Sequence, residues 1–263
     1  MNCQFCQTPV NPRVDTTCPE CGFPVNAEDS SYVAAAAATV PSRQTQLTHS
    51  QSLRPGSICL TKQNEVLPLL LLLLVFCIDV SGSMVGRKIK EAIRGLMLMK
   101  QSLFPLGDKC QMAIVEFNEA AKIAHPLTRP ALLEGQPAIS EARGGTNIGA
   151  GLRLGGKVLK DHVVEGDAHR VLVLLSDGED TCQSSPVQAA TDLKAEGSLI
   201  ITIGYGKDAD HDMLRSIASS PDLCFAKGAT GNELETFLKT LGGTMTASIA
   251  MGESLDRSLR RLD

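Results

Sequence analysis

The sequence predicts an α/β fold: a doubly wound, mostly parallel sheet with helices on both faces, preceded by a small cysteine-rich module. Three observations carry that expectation. A charge-free run, Val66-Leu-Pro-Leu-Leu-Leu-Leu-Leu-Leu-Val-Phe-Cys-Ile78, ends abruptly in Asp79-Val80-Ser81-Gly82-Ser83. Short apolar runs behind it alternate with stretches of helical spacing. Two Cys-x2-Cys pairs stand within the first 25 residues.

The cysteine module comes first in the chain. Cys3-x2-Cys6 is followed, after eleven residues, by Cys18-x2-Cys21. Each pair can turn two thiolates toward one ion, and two such turns close a tetrahedral S4 site of the kind structural Zn2+ takes. The module resembles the short zinc-ribbon family over residues 1 to 25. A piece this small buries little apolar surface, so metal binding supplies its folding free energy. Its basic content is Arg13 alone, against Asp15 and Glu20. That is too little for a phosphate-binding surface, so the ribbon is expected to be structural or to dock a protein. Residues 26–57 carry the Ala34–Ala38 run and then Ser, Thr and Gln, a composition that does not offset ordering entropy and predicts a linker.

The apolar run is too short to cross a bilayer. Leu67 to Ile78 is twelve residues with Pro68 among them, where a spanning helix needs about 20. It reads instead as a central parallel strand covered on both faces, regular from Leu70 to Ile78 with Pro68 outside it. Ile89, Ile93, Leu96 and Met99 then predict a helix over Lys88–Leu103. Strands are predicted at Cys110–Phe117 and Ala121–Leu127, the second antiparallel. A Gly- and Pro-rich loop runs from Thr128 to Gly145, and a helix from Asn147 to Val163. Val171–Leu175 is a buried strand ending in Ser176-Asp177-Gly178. Ser185 and Pro186 predict an N-cap and first position of a helix. Leu199–Ile203 is a strand, Asp210–Ser219 a helix and Leu223–Ala226 a short strand. Asn232-x2-Glu235 reads as a capping box opening the last helix. The tail, 252–263, has amphipathic spacing that fits packing on its own domain or docking to a partner.

In an open parallel sheet, ligands bind beyond the C-terminal strand ends at the switch in strand order. Three segments converge on that rim: Asp79-x-Ser81-x-Ser83, Gly144-Gly145-Thr146 and Ser176-Asp177-Gly178. They offer two carboxylates and three hydroxyls, an all-oxygen set suited to hard Mg2+. With two acids, the set leaves a divalent ion room for a carboxylate from outside. Glu179 and Asp180 read as a solvated acidic rim rather than further ligands.

Asp-Val-Ser-Gly-Ser, Gly-Gly-Thr-Asn and Ser-Asp-Gly at these strand ends resemble the von Willebrand factor type A (vWA) domain and its metal-ion-dependent adhesion site (MIDAS). The resemblance covers about residues 66–250, within a domain placed at 58–251. It implies Ser81, Ser83 and Thr146 as inner ligands of Mg2+ or Mn2+, with Asp79 and Asp177 acting through water or directly. It further implies a non-enzymatic protein-binding module that captures an acidic side chain of a partner. Intracellular members such as the TerY-like group are associated with kinases, phosphatases or ATPase complexes.

Two other functions fit the sequence less well. A metal-dependent, phosphatase-like hydrolase would use Asp79 as nucleophile or base, but Ser81 stands where a second acid is needed and no motif places a Lys or His to activate water. A ribbon-led nucleic-acid adaptor is disfavoured by the weak basic content and by a net charge of −4. Gly151-x4-Gly156-Lys157 lacks the hydroxyl of a phosphate loop and falls inside a predicted helix. Gly204-Tyr-Gly206 lies late in the sheet with no acid about 20 residues on. Nine cysteines with no secretory signal favour a reducing compartment, by default the cytoplasm, and Cys77, Cys110 and Cys224 read as core thiols.

Overall fold

The structure, a computed structural model, describes residues 71–262 apart from 134, 136, 165–166, 208 and 228–230. The cysteine ribbon (Cys3, Cys6, Cys18, Cys21) and the linker lie outside the described residues.

The apolar run forms β1, Leu71–Asp79. Every side chain from Leu72 to Ile78 is fully buried, and removing each large apolar group from water contributes about 1.5–3 kcal/mol. The remaining strands are β2 (Cys110–Phe117), β3 (Ala121–Thr128), β4 (Ala168–Ser176), β5 (Leu199–Tyr205) and β6 (Cys224–Lys227). They form one sheet in the order β3-β2-β1-β4-β5-β6. Only the edge strand β3 runs antiparallel. Order reverses between β1 and β4, so the crevice of an open α/β sheet falls at the ends of those two strands.

Alternation along β1 divides the core into two layers. Leu72, Leu74, Phe76 and Ile78 pack with α1 (Arg87–Ser102), α5 (Gly231–Met251) and α6 (Leu255–Leu259). Leu73, Val75 and Cys77 face α2 (Ile148–Asp161), α3 (Pro186–Ala195) and α4 (His211–Ile217). Helix α2 lies close on the sheet because it has glycines where it touches. A Cβ at Gly151 would stand 2.8 Å from the Phe117 ring, and one at Gly155 2.8 Å from Leu172 and 2.9 Å from Cys77. The segment that mimics a phosphate loop is thus the packing face of a helix.

Two terminal details differ from the sequence expectation. Ser185 precedes α3 but makes no side-chain cap, because its backbone is left-handed (φ 51°). Asn232 lies within α5, and Glu235 accepts from Arg94 Nε at 2.7 Å rather than closing a capping box. The tail packs on its own domain: Leu255 and Leu259 are buried in the core. Glu91 of α1 accepts from Tyr205 at the end of β5, and its carboxyl lies where a Cβ at Gly231 would crowd it. That joins the start of α5 to α1. Among the described residues no helix is long and apolar enough to cross a membrane.

Candidate functional site at the carboxyl ends of the central strands

Parallel register places the last residues of β1 and β4 side by side. Ile78 pairs with Leu175, so Asp79 falls beside Ser176, whose Oγ donates to Asp79 Oδ2 at 2.6 Å. The other oxygen, Oδ1, accepts from the Ser81 amide at 2.8 Å. Asp79 is fully buried. Burial raises its pKa to about 6; the Ser176 and Ser81 hydrogen bonds oppose the rise and the neighbouring Asp177 charge adds to it.

The chain beyond β1 is stitched to the end of β2 and to the loop before α2. Val80 N donates to Phe117 O, Arg143 N to Val80 O and Gly82 N to Gly144 O, all at 2.8–2.9 Å. The third segment joins through a reciprocal pair: Thr146 N donates to Thr181 Oγ1 at 2.8 Å, and Thr181 N to Thr146 O at 2.9 Å. Glu119 holds the double glycine from the other side, accepting from Gly145 N at 3.2 Å.

These contacts bring the predicted residues together. Ser81 Oγ and Ser83 Oγ are 3.0 Å apart, and Ser83 Oγ donates to Asp177 Oδ1 at 2.6 Å. A Cβ on Gly178 would stand 3.6 Å from Ser83 Oγ and 3.9 Å from Thr146 Oγ1, so both hydroxyls border one small space that glycine leaves open. Asp177 is fully buried, and its Oδ2 accepts from Lys88 Nζ at 2.5 Å.

A hard divalent cation fits this donor set. Ser81, Ser83, Thr146 and Asp177 offer oxygen, and a lysine ammonium already sits on the far oxygen of Asp177 as a cation. Adjacent oxygens on an Mg2+ octahedron with bonds of about 2.1 Å lie about 3.0 Å apart, which is the Ser81–Ser83 separation. Among the described residues no three His, Cys, Asp or Glu side chains cluster as a metal-holding group.

Sequence reasoning missed four contributors. Asp180 is not a solvated acid. Its Oδ1 accepts from Ile148 N at 3.0 Å and Ser184 Oγ at 2.8 Å, and its Oδ2 from Ser184 N at 2.9 Å. Thr181, Glu119 and Lys88 likewise act across 26 to 89 positions of chain, which no local spacing reveals.

The profile of the von Willebrand factor type A domain matches residues 74–240, more than half of the chain. The chain belongs to that family. It is 27% identical over 159 residues to inter-alpha-trypsin inhibitor heavy chain H4 of Bos taurus and 27% over 160 residues to heavy chain H2 of Mesocricetus auratus. These alignments cover 55% and 56% of this chain but only 17% of either relative. Among solved structures, the pilus adhesin SpaC of Lactobacillus rhamnosus GG aligns over 68% of this chain and 30% of its own, at 18% identity and a TM-score of 0.59. Proximal thread matrix protein 1 of the mussel byssus, in a form with a zinc-occupied MIDAS motif, aligns over 66% of this chain and 45% of its own, at 23% identity and a TM-score of 0.52. These likenesses bear on the fold.

Proposed function

We propose that this chain is a protein-binding module whose vWA domain holds Mg2+, or Mn2+, at its sheet rim and captures an acidic side chain of a protein partner. Ser81, Ser83 and Thr146 would be inner ligands, with Asp79 and Asp177 supplying the negative charge directly or through water. The observation that carries the reading is the line of oxygens from Ser81 through Ser83 to Asp177, spaced at 3.0 and 2.6 Å. Two carboxylates balance a divalent charge and leave its shell short of ligands, and an incoming carboxylate completes it.

We read the module as non-enzymatic. Both Asp79 oxygens are committed to hydrogen bonds, which suits a fixed ligand support better than an attacking nucleophile. Residues 1–25 would form a Zn2+ ribbon on Cys3, Cys6, Cys18 and Cys21, as a structural or docking appendix, with 26–57 as linker and 58–251 as the vWA domain. The partner would be a protein, such as a component of a kinase, phosphatase or ATPase complex, and not nucleic acid. Cytoplasmic residence fits the described cysteines, Cys77, Cys110, Cys182 and Cys224, all of which are free.

The test is a pull-down from native lysate in Mg2+, in chelator, and with Asp79→Ala. Proteins retained in Mg2+ alone support metal-dependent capture; identical retention in all three contradicts it.

A further inference from the structure

We propose that Lys88 is a tethered cation that holds Asp177 while the rim lacks a divalent ion and is displaced when one binds. The proposal rests on the reading of this rim as a metal site.

A fully buried carboxylate needs a compensating cation. Asp177 has no exposed surface and lies beside a second buried carboxylate, Asp79. Lys88 Nζ meets its Oδ2 at 2.5 Å, and the lysine side chain keeps 30% of its surface exposed. One end of the pair is therefore fixed in the sheet and the other reaches it from solvent. The lysine stands in the first turn of α1 and passes the end of β5. Gly206 follows β5 with φ +102°, and a Cβ there would lie 3.4 Å from Nζ and 3.6 Å from Cε. The missing side chain leaves the lysine its path.

The ammonium and one hydroxyl of the serine pair bind the same carboxylate, Ser83 on Oδ1 and Lys88 on Oδ2. A divalent ion among the hydroxyls would put two positive charges close to a third. Lysine's flexible four-carbon stem lets its head return to water. Lys88 would then set the free Mg2+ concentration at which the rim becomes competent. It would also select for charge, since a monovalent ion brings no more than the ammonium it replaces. Removing the competitor is expected to tighten Mg2+ binding about tenfold, which corresponds to about 1.4 kcal/mol. This modest figure reflects the screening of a partly exposed amine.

The experiment uses the full chain stripped with chelator. Mg2+ affinity is measured by calorimetry for the wild type, Lys88→Met and Lys88→Gln. An amine-reactive ester followed by peptide mass spectrometry reports labelling of Lys88, with exposed Lys90 as internal reference. Both variants should bind Mg2+ about tenfold more tightly, and saturating Mg2+ should raise Lys88 labelling severalfold while Lys90 stays constant. Unchanged or weaker Mg2+ binding in the variants, or Lys88 labelling indifferent to Mg2+, overturns the displacement while leaving the metal site standing. Mg2+ binding absent from the wild type overturns the metal site and the displacement with it. The labelling arm needs no variant, so it decides the matter even if neither substitution folds.

Discussion

Replacing Asp180 by alanine should destabilise the domain, and replacing its neighbour Glu179 should not. Helix α2 begins with N–H groups that have no partner inside the helix. In this chain each finds one outside it: Ile148 N on Asp180, Gly149 N on Ser184 Oγ, and Ala150 N on Asn147 Oδ1. Asp180 also accepts from both the amide and the hydroxyl of Ser184, so it sets two of the three. Hydrogen bonds to a charged group contribute about 1.5–3 kcal/mol net, and an anion at a helix N-terminus about 0.3–1 kcal/mol. Asp180 is half-buried, so water replaces part of what alanine removes. The expected loss is about 2–3 kcal/mol, or roughly 4–12 °C in Tm for a domain of this size. Glu179 is exposed, and Glu179→Ala should stay within about 0.5 kcal/mol of the parent. Urea denaturation in chelator, followed by circular dichroism, measures both. Equal effects from the two variants, or a loss below about 0.5 kcal/mol for Asp180→Ala, would refute the capping argument.

Two further outcomes follow from the same geometry. Thr181→Val keeps the side-chain shape but removes the acceptor of the Thr146 amide; the loss should be about 1–2 kcal/mol by urea denaturation, with weaker Mg2+ binding by calorimetry, and unchanged Mg2+ affinity would deny Thr181 a part in positioning Thr146. Asp79 carries the pH dependence: burial raises its pKa from 3.8 to about 6, so between those values the folded protein holds a proton that the unfolded chain has lost. Its contribution is complete below about pH 4 and is lost as pH rises to about 6, about 3 kcal/mol in all. Denaturation of the metal-free protein across that range, set against Asp79→Asn, should show the variant gaining on the wild type as pH rises, and parallel profiles would count against the burial argument.

The frame of the domain was legible because its signals are local. An apolar run too short to cross a bilayer, with an acid at its end, reads as a covered strand that stops at a polar rim, and β1 is that strand. The bounds of β2 match the expectation, since polar groups flank its apolar run closely. The three converging segments were also readable, because each sits just after a buried strand or just before a helix. What supports them was not. Lys88 meets Asp177, Thr181 meets Thr146, and Glu91 meets Tyr205 only once the sheet order is fixed. Asp180 was misread because an acid beside Gly178 and Glu179 looks solvated in one dimension, while in space α2 begins directly above it. Ser185 failed as a cap for a backbone reason, its left-handed φ, which its identity does not announce.

The most direct test of the central claim is a crystal of the chain grown with Mn2+ and measured at the manganese absorption edge. One anomalous peak is expected at the rim, within bonding distance of the Ser81, Ser83 and Thr146 hydroxyl oxygens and close to Asp79 and Asp177. An empty rim at saturating Mn2+, or an ion bound by other side chains, would contradict it.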